Sequence, residues 1–211
     1  GEGLPLVLIH GGGSTIESSF GRLIPQLAGQ RKVIAMELQA HGRSSDRDAP
    51  ESFEQDADDV AALLHNLGLD KAHILGYSNG GNTAMQIAIR HPGLVNKLIV
   101  TSSFYKREAL PAGFFDMMAN ATLGDMPEIL REAFLKVNSD TARLQAMFNK
   151  DRERMLRFKD WPEDMIRSIK APALFISGDQ DVASPAHTAA MASLVSGSRV
   201  MILPCGHGSF I

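Results

Sequence analysis

The chain has 211 residues, 44% hydrophobic and 21% charged, enough to bury one substantial core in a single domain that carries at most an inserted lobe. With 21 Lys and Arg against 24 Asp and Glu, the formal charge of -3 supplies no broad attraction for nucleic acid or an anionic membrane, and no apolar run approaches a membrane span. One cysteine, Cys205, excludes an internal disulfide framework and a multi-cysteine zinc site; with no signal-like N-terminal segment, the expectation is a cytoplasmic protein.

Leu4 to Ile9 is a continuous apolar run, which suits a strand buried on both faces of a parallel sheet. His10-Gly11-Gly12-Gly13-Ser14 ends it. This loop lacks the lysine of a phosphate-cradling P-loop and does not fit Gly-x-Gly-x-x-Gly, so it is read as a source of backbone donors. Phe20, Leu23, Ile24 and Leu27 give an apolar helical face, and Pro25 predicts a bend or break within it. Residues 32–38 supply a second strand. The loop 40–45 that follows is read at His41 as a structural turn. Phe53, Ala57, Val60, Leu64 and Leu67 recur at helical spacing opposite Asp56, Asp58 and Asp59, and Gly68 ends that helix.

The next stretch, residues 71–90, organises the rest. A short apolar strand breaks at Gly76-Tyr77-Ser78-Asn79-Gly80 and resumes with helical spacing as far as Arg90. Gly-x-Ser-x-Gly between a strand and a helix is a candidate nucleophile elbow, a turn tight enough to strain the serine backbone and exclude side chains at the two glycines. Another strand runs to Thr101.

Residues 105–165 contain no strong strand run, only helical stretches around 113–121, 128–137, 140–148 and 152–158, with methionines concentrated among them. They read either as plain helical packing or as a cap over an apolar pocket, and the alternating charges of 150–159 as a solvated face. Strand rhythm resumes at 173–177, followed by Gly178-Asp179-Gln180-Asp181, a helix from Pro185 to Leu194, a strand at 199–203 and an exit loop holding His207. The expected division is core in 1–104, helical insertion in 105–165 and core again in 166–211. Alternating strands and helices predict right-handed crossovers and a parallel sheet.

Ser78, an acid at 179 or 181, and His207 all follow strands, where the loops of an open parallel sheet converge. A serine hydroxyl needs a base; a histidine can take and return the proton while a carboxylate fixes its tautomer. Spacing alone leaves Asp179 and Asp181 both open as the acid. The backbone N–H groups of Gly12 and Asn79 are the candidates for stabilising an oxyanion, with His10 tying the glycine loop together. Cys205 reads as a small packed thiol. His65, His73, His91 and His187 have no metal-ligand spacing.

Taken together, PLVLIHGGG at 5–13, AHGRSS at 40–45, GYSNGG at 76–81, PALFISGDQD at 172–181 and LPCGHGSF at 203–210 resemble the α/β-hydrolase superfamily, especially small capped serine esterases. The early strands that commonly precede the HGGG loop and much of the usual terminal helix have no counterpart in this sequence. The resemblance implies a three-layer α/β fold with a mostly parallel central sheet and a helical cap. It also implies Ser78 as nucleophile, Asp181 as triad acid, His207 as base, Gly12 and Asn79 as backbone oxyanion donors, and His10, Gly11 and Asp179 as loop support. The expected activity is cleavage of small or medium apolar carboxylic esters through an acyl-serine, with no cofactor or metal and no nucleic-acid partner. Lactone, thioester, amide and carbon–carbon bond hydrolysis use similar machinery, and a hydrolase-like ligand receptor is the non-enzymatic alternative.

Overall fold

A computed structural model describes residues 1–209 and 211; Phe210, the last residue of the LPCGHGSF match, lies outside the described residues. Six strands, β1 (Leu6–Ile9), β2 (Val33–Met36), β3 (Ala72–Tyr77), β4 (Val95–Thr101), β5 (Ala173–Gln180) and β6 (Arg199–Gly206), form one sheet in the order β2-β1-β3-β4-β5-β6. Every neighbouring pair is parallel. The apolar run of β1 is buried along its whole length, as a strand covered on both faces requires.

Helices α1 (Ile16–Phe20) and α2 (Ile24–Ala28) follow the glycine loop. The predicted break is present, and Pro25 falls in the first turn of α2, where its missing N–H costs no helical hydrogen bond. Helix α3 (Phe53–Asn66) starts at Ser52, whose hydroxyl accepts from the Gln55 N–H, and buries Phe53, Ala57, Val60 and Leu64. Helix α4 (Asn79–Arg90) leaves β3 directly and is buried along most of its length. Helix α9 (Pro185–Leu194) packs on β5. Phe53, Ile74, Met85, Leu98 and Phe175 belong to the main core between the sheet and these helices.

Helices α5 (Phe114–Asn120), α6 (Glu128–Val137), α7 (Thr141–Arg157) and α8 (Glu163–Arg167) intervene between β4 and β5 and form a cap. Residues 140–158, expected as two helices, form one. Asp140 caps its start by accepting from Ala142 N and Arg143 N. The charged segment 150–159, read as a solvated face, is instead partly turned inward, with Asp151 and Arg154 buried. Phe134, Leu144, Met147 and Met126 build a small separate core there.

Strand β6 is longer than its apolar run implied, continuing through Pro204 and Cys205 to Gly206. Val200, Met201 and Ile202 on this edge strand are exposed. No helix among the described residues is long and apolar enough to cross a membrane.

Candidate active site

The sheet order puts β1 beside β3 while the chain runs from β1 to β2 on the other side. That reversal opens a crevice at the C-terminal ends of β1 and β3, the position where open α/β sheets bind ligands. The glycine loop leaves one strand there and Ser78 leaves the other.

Ser78 has φ +53° and ψ -123°, a region that costs a non-glycine residue strain of order 1–3 kcal/mol. It is held by its own N–H to Thr101 O at 2.8 Å and by Gly81 N to its carbonyl at 2.8 Å. The turn has no room for side chains at its glycines. A Cβ at Gly76 would lie 2.0 Å from Gly80 O, and one at Gly80 would lie 2.2 Å from Ile9 O. Ser78 thus sits at a forced bend between β3 and α4.

His207 Nε2 lies 3.2 Å from Ser78 Oγ, and His207 Nδ1 lies 2.6 Å from Asp181 Oδ1. A carboxylate only accepts, so Nδ1 carries the proton and Nε2 accepts from the serine hydroxyl. The Asp181 carboxyl has further donors: Val182 N at 2.7 Å on Oδ1, and Ser102 Oγ at 2.5 Å and Gly178 N at 3.0 Å on Oδ2. Burial opposes its ionisation, but hydrogen bonds from His207, Ser102 and Gly178 outweigh burial and hold it below the usual carboxylate range. Ser102 itself has φ +54°. Nothing in the sequence singled it out, because it lies 79 residues from its partner. Asp179 is exposed at the end of β5 and, among the described residues, makes no hydrogen bond to His207. Of the two open acids, the geometry brings Asp181 to the histidine.

Asn79 opens α4, so its N–H has no intrahelical acceptor. Among the described residues the Gly12 N–H also donates to no protein acceptor. The Asn79 side chain packs against this loop: a Cβ on Gly12 would meet its Nδ2 at 2.4 Å. His10 is fully buried; its Nδ1 donates to Gly11 O at 2.7 Å while its Nε2 accepts from Leu38 N at 3.0 Å. Burial and the neighbouring His41 push its pKa down to about 3, so it is a neutral brace.

His41 differs from its reading as a simple turn. Its Nδ1 faces Gln39 O at 2.8 Å and its Nε2 faces Asp151 Oδ2 at 3.0 Å, two acceptors that require both ring nitrogens protonated. Burial opposes that charge, yet Asp151 and, less strongly, Glu51 raise its pKa to about 9. Asp151 is also ion-paired with Arg154, which donates to Asp56 Oδ2 at 2.6 Å. The other histidines are dispersed: His91 pairs with Asp58, and His187 stacks on Tyr105. Cys205 is partly exposed, two residues before His207.

A cavity of about 420 Å³ opens over Ser78 and His207, lined mainly by apolar side chains of the cap such as Phe114, Met118, Met126, Met147 and Phe148. Its volume is in the range of small-molecule sites.

A profile of the alpha/beta hydrolase fold family matches residues 5–150. The chain belongs to this family. It is 29% identical to the 2-hydroxymuconate semialdehyde hydrolase of Pseudomonas sp. (strain CF600), over 98% of this chain and 81% of that protein. It is 25% identical to the 2-hydroxy-6-oxo-6-(2'-aminophenyl)hexa-2,4-dienoic acid hydrolase of Metapseudomonas resinovorans, over 100% of this chain and 80% of that one. The solved meta-cleavage product hydrolase from Pseudomonas fluorescens IP01 shares the fold, with a TM-score of 0.82, 21% identity, and coverage of 100% of this chain and 86% of that one. As an α/β-hydrolase of capped type, the chain has the Ser-His-Asp arrangement of a serine hydrolase.

Proposed function

We propose that this chain hydrolyses a small carbonyl compound through an acyl-serine intermediate, and that the bond it breaks is the carbon–carbon bond beside a conjugated ketone. The observation that carries the acyl-serine reading is the unbroken Ser78–His207–Asp181 line opening into an apolar cavity. His207 takes the Ser78 proton as Oγ adds to the carbonyl carbon, and the N–H groups of Gly12 and Asn79 meet the oxyanion. Before the bond breaks, the dienol tautomerises, its enol proton moving to C5, so that the carbon beside the ketone is saturated. It then departs as a conjugated 2-oxo-dienolate, to which His207 gives its proton. Water, deprotonated by the same histidine, attacks the acyl-serine and frees the acid.

The choice of bond rests on chemistry carried by the relatives. A 2-hydroxy-6-oxo-dienoic acid has no ester or amide link, so its hydrolase must separate the ketone carbon from its vinyl neighbour. Whole-length similarity to two such hydrolases, at 29% and 25% identity, favours that bond here over the carboxylic ester read from the sequence. The mainly apolar lining keeps an ester with an apolar acyl group as the second reading. Residues 105–165 act in either case as a cap between core segments 1–104 and 166–211, supplying the surface on which the acyl group lies.

A panel containing a 2-hydroxy-6-oxo-dienoate, an aliphatic lactone and p-nitrophenyl esters of graded length, run against a Ser78→Ala control, tests both readings. The expected kcat/KM on the dienoate exceeds that on any ester by about tenfold or more, a difference of about 1.4 kcal/mol in transition-state stabilisation. Preference for an ester selects the second reading. Tight binding of panel compounds without turnover selects a ligand receptor instead.

A further inference from the structure

Glycine is the residue least able to hold its own amide in one direction, yet Gly12 must aim an N–H at an oxyanion. Peptide planarity means that the Gly12 N–H is fixed by whatever holds the Gly11 carbonyl, and that the other peptide of Gly12 is fixed by whatever holds the Gly13 N–H. Both have buried partners. Gly11 O receives His10 Nδ1 at 2.7 Å, and Gly13 N donates to Asp151 Oδ2 at 2.5 Å. Gly13 itself has φ +63°, so its backbone gains nothing from local preference. The first brace is adjacent in sequence. The second comes from α7, 138 residues away, on the same helix that lines the cavity with Met147 and Phe148.

A carboxylate beside a developing oxyanion is a poor neighbour unless its charge is compensated. Here Asp151 Oδ2 also takes His41 Nε2, and Oδ1 takes Arg154 Nη2. The ring of His41 lies 4.8 Å from that of His10, so both braces belong to one buried cluster.

We propose that Asp151 is a positioning residue: charge-compensated by His41 and Arg154, it clamps the Gly13 N–H and so fixes the second peptide of Gly12, which together with the His10 brace on the first holds the Gly12 N–H toward the site, making the oxyanion donor depend on where the cap helix α7 sits. The proposal rests on the acyl-serine reading above. Asp151 touches no reacting atom. Its effect is confined to states that carry charge on the former carbonyl oxygen.

The test compares two probes on the full chain. A 1,1,1-trifluoro-2-alkanone adds to Ser78 and places an oxyanion in the site, whereas the parent 2-alkanone binds without adding. In Asp151→Ala the affinity for the trifluoroketone is expected to fall about 30- to 100-fold, toward the loss seen on removing one oxyanion donor, with kcat/KM falling in parallel. Asp151 also lines the cavity, so the parent ketone reports any change in uniform binding, and it is expected to stay within about threefold of wild type. Asp151→Asn, which keeps an oxygen for the Gly13 N–H, is expected to recover most of the trifluoroketone affinity. Equal losses for both ketones, or none for either, overturn the proposal. If the Ala variant does not fold, Asp151→Glu is read in its place: it keeps the charge but displaces the oxygen by one methylene, and a folded Glu variant with both affinities unchanged overturns the proposal equally. Failure of the acyl-serine reading looks different, because wild type and Ser78→Ala would then bind the trifluoroketone alike.

Discussion

Ser102 illustrates how much of this site is set by groups outside the Ser-His-Asp line itself. It sits at the end of β4 with a left-handed backbone, φ +54°, and spends its hydroxyl on Asp181. A hydrogen bond to a charged group is worth about 1.5–3 kcal/mol, so Ser102→Ala is expected to lower kcat about tenfold while leaving KM near its wild-type value, measurable on any panel substrate that turns over. The loss follows from a freer carboxylate that orients His207 less well. Ser78 and His207 were legible in the sequence because each follows a strand and their order matches a known proton relay. Asp179 and Asp181 were separable only by resemblance; in the structure Asp181 lies just beyond β5 with its carboxylate turned under Ser102 while Asp179 faces solvent. Ser102, Asp151 and Arg154 were not legible as site residues at all. Their partners lie far along the chain, and a serine after a strand or an Asp-Arg pair on a charged helix carries no pattern that distinguishes it from surface.

At the scale of the element, the strand–turn–helix unit of β3 and α4 is specified by the absence of side chains. Gly80 passes so close to β1 that Gly80→Ala would push a methyl group to 2.2 Å from Ile9 O and 2.4 Å from His10 O, both backbone atoms that cannot swing aside. Overpacking of this kind typically costs about 1–3 kcal/mol, and the upper end is expected here, read as a lower urea midpoint with an unchanged slope. Gly68, by contrast, has open space around its missing Cβ and is constrained only by φ +70°. The helices were legible where one face was apolar, as in α3. The single helix α7 reads from its pattern as two stretches with a solvated charged face, but its polar middle serves the interior: Asp151 faces a buried arginine. Periodicity reads polarity as exposure, and a compensated buried charge defeats that rule.

At the scale of the molecule, the same cluster joins cap to core and should be visible in the pH dependence of folding. His41 has an ordinary pKa near 6.5 when unfolded and about 9 when folded, so its contribution is fully present below about pH 6.5 and is lost as pH rises through about 9. Glu51, pushed up to about 7 by burial and by Asp151, adds a loss of the same sign at lower pH. Urea unfolding between pH 6.5 and 9 is therefore expected to show stability falling by up to about 1.4 kcal/mol per pH unit, the slope of one proton. In His41→Gln that slope should flatten; an unchanged slope would mean that the imidazolium is not held in the fold. The parallel sheet was foreseeable from the alternation of strands and helices, and with it the convergence of loops at the strand ends. What alternation does not encode is how the inserted helices reach back over that crevice, since this is decided by pairings such as Asp151 with Gly13 and Asn138 with Gly42.

Cys205 offers a practical handle on that geometry. It is the lone sulfhydryl in the chain, partly open to solvent and two residues from the proton-carrying imidazole. A maleimide fluorophore would attach at one address near the end of β6, beside the loop that carries the catalytic imidazole. Occupation of the cleft beside His207 could then be followed in real time with an unmutated polypeptide.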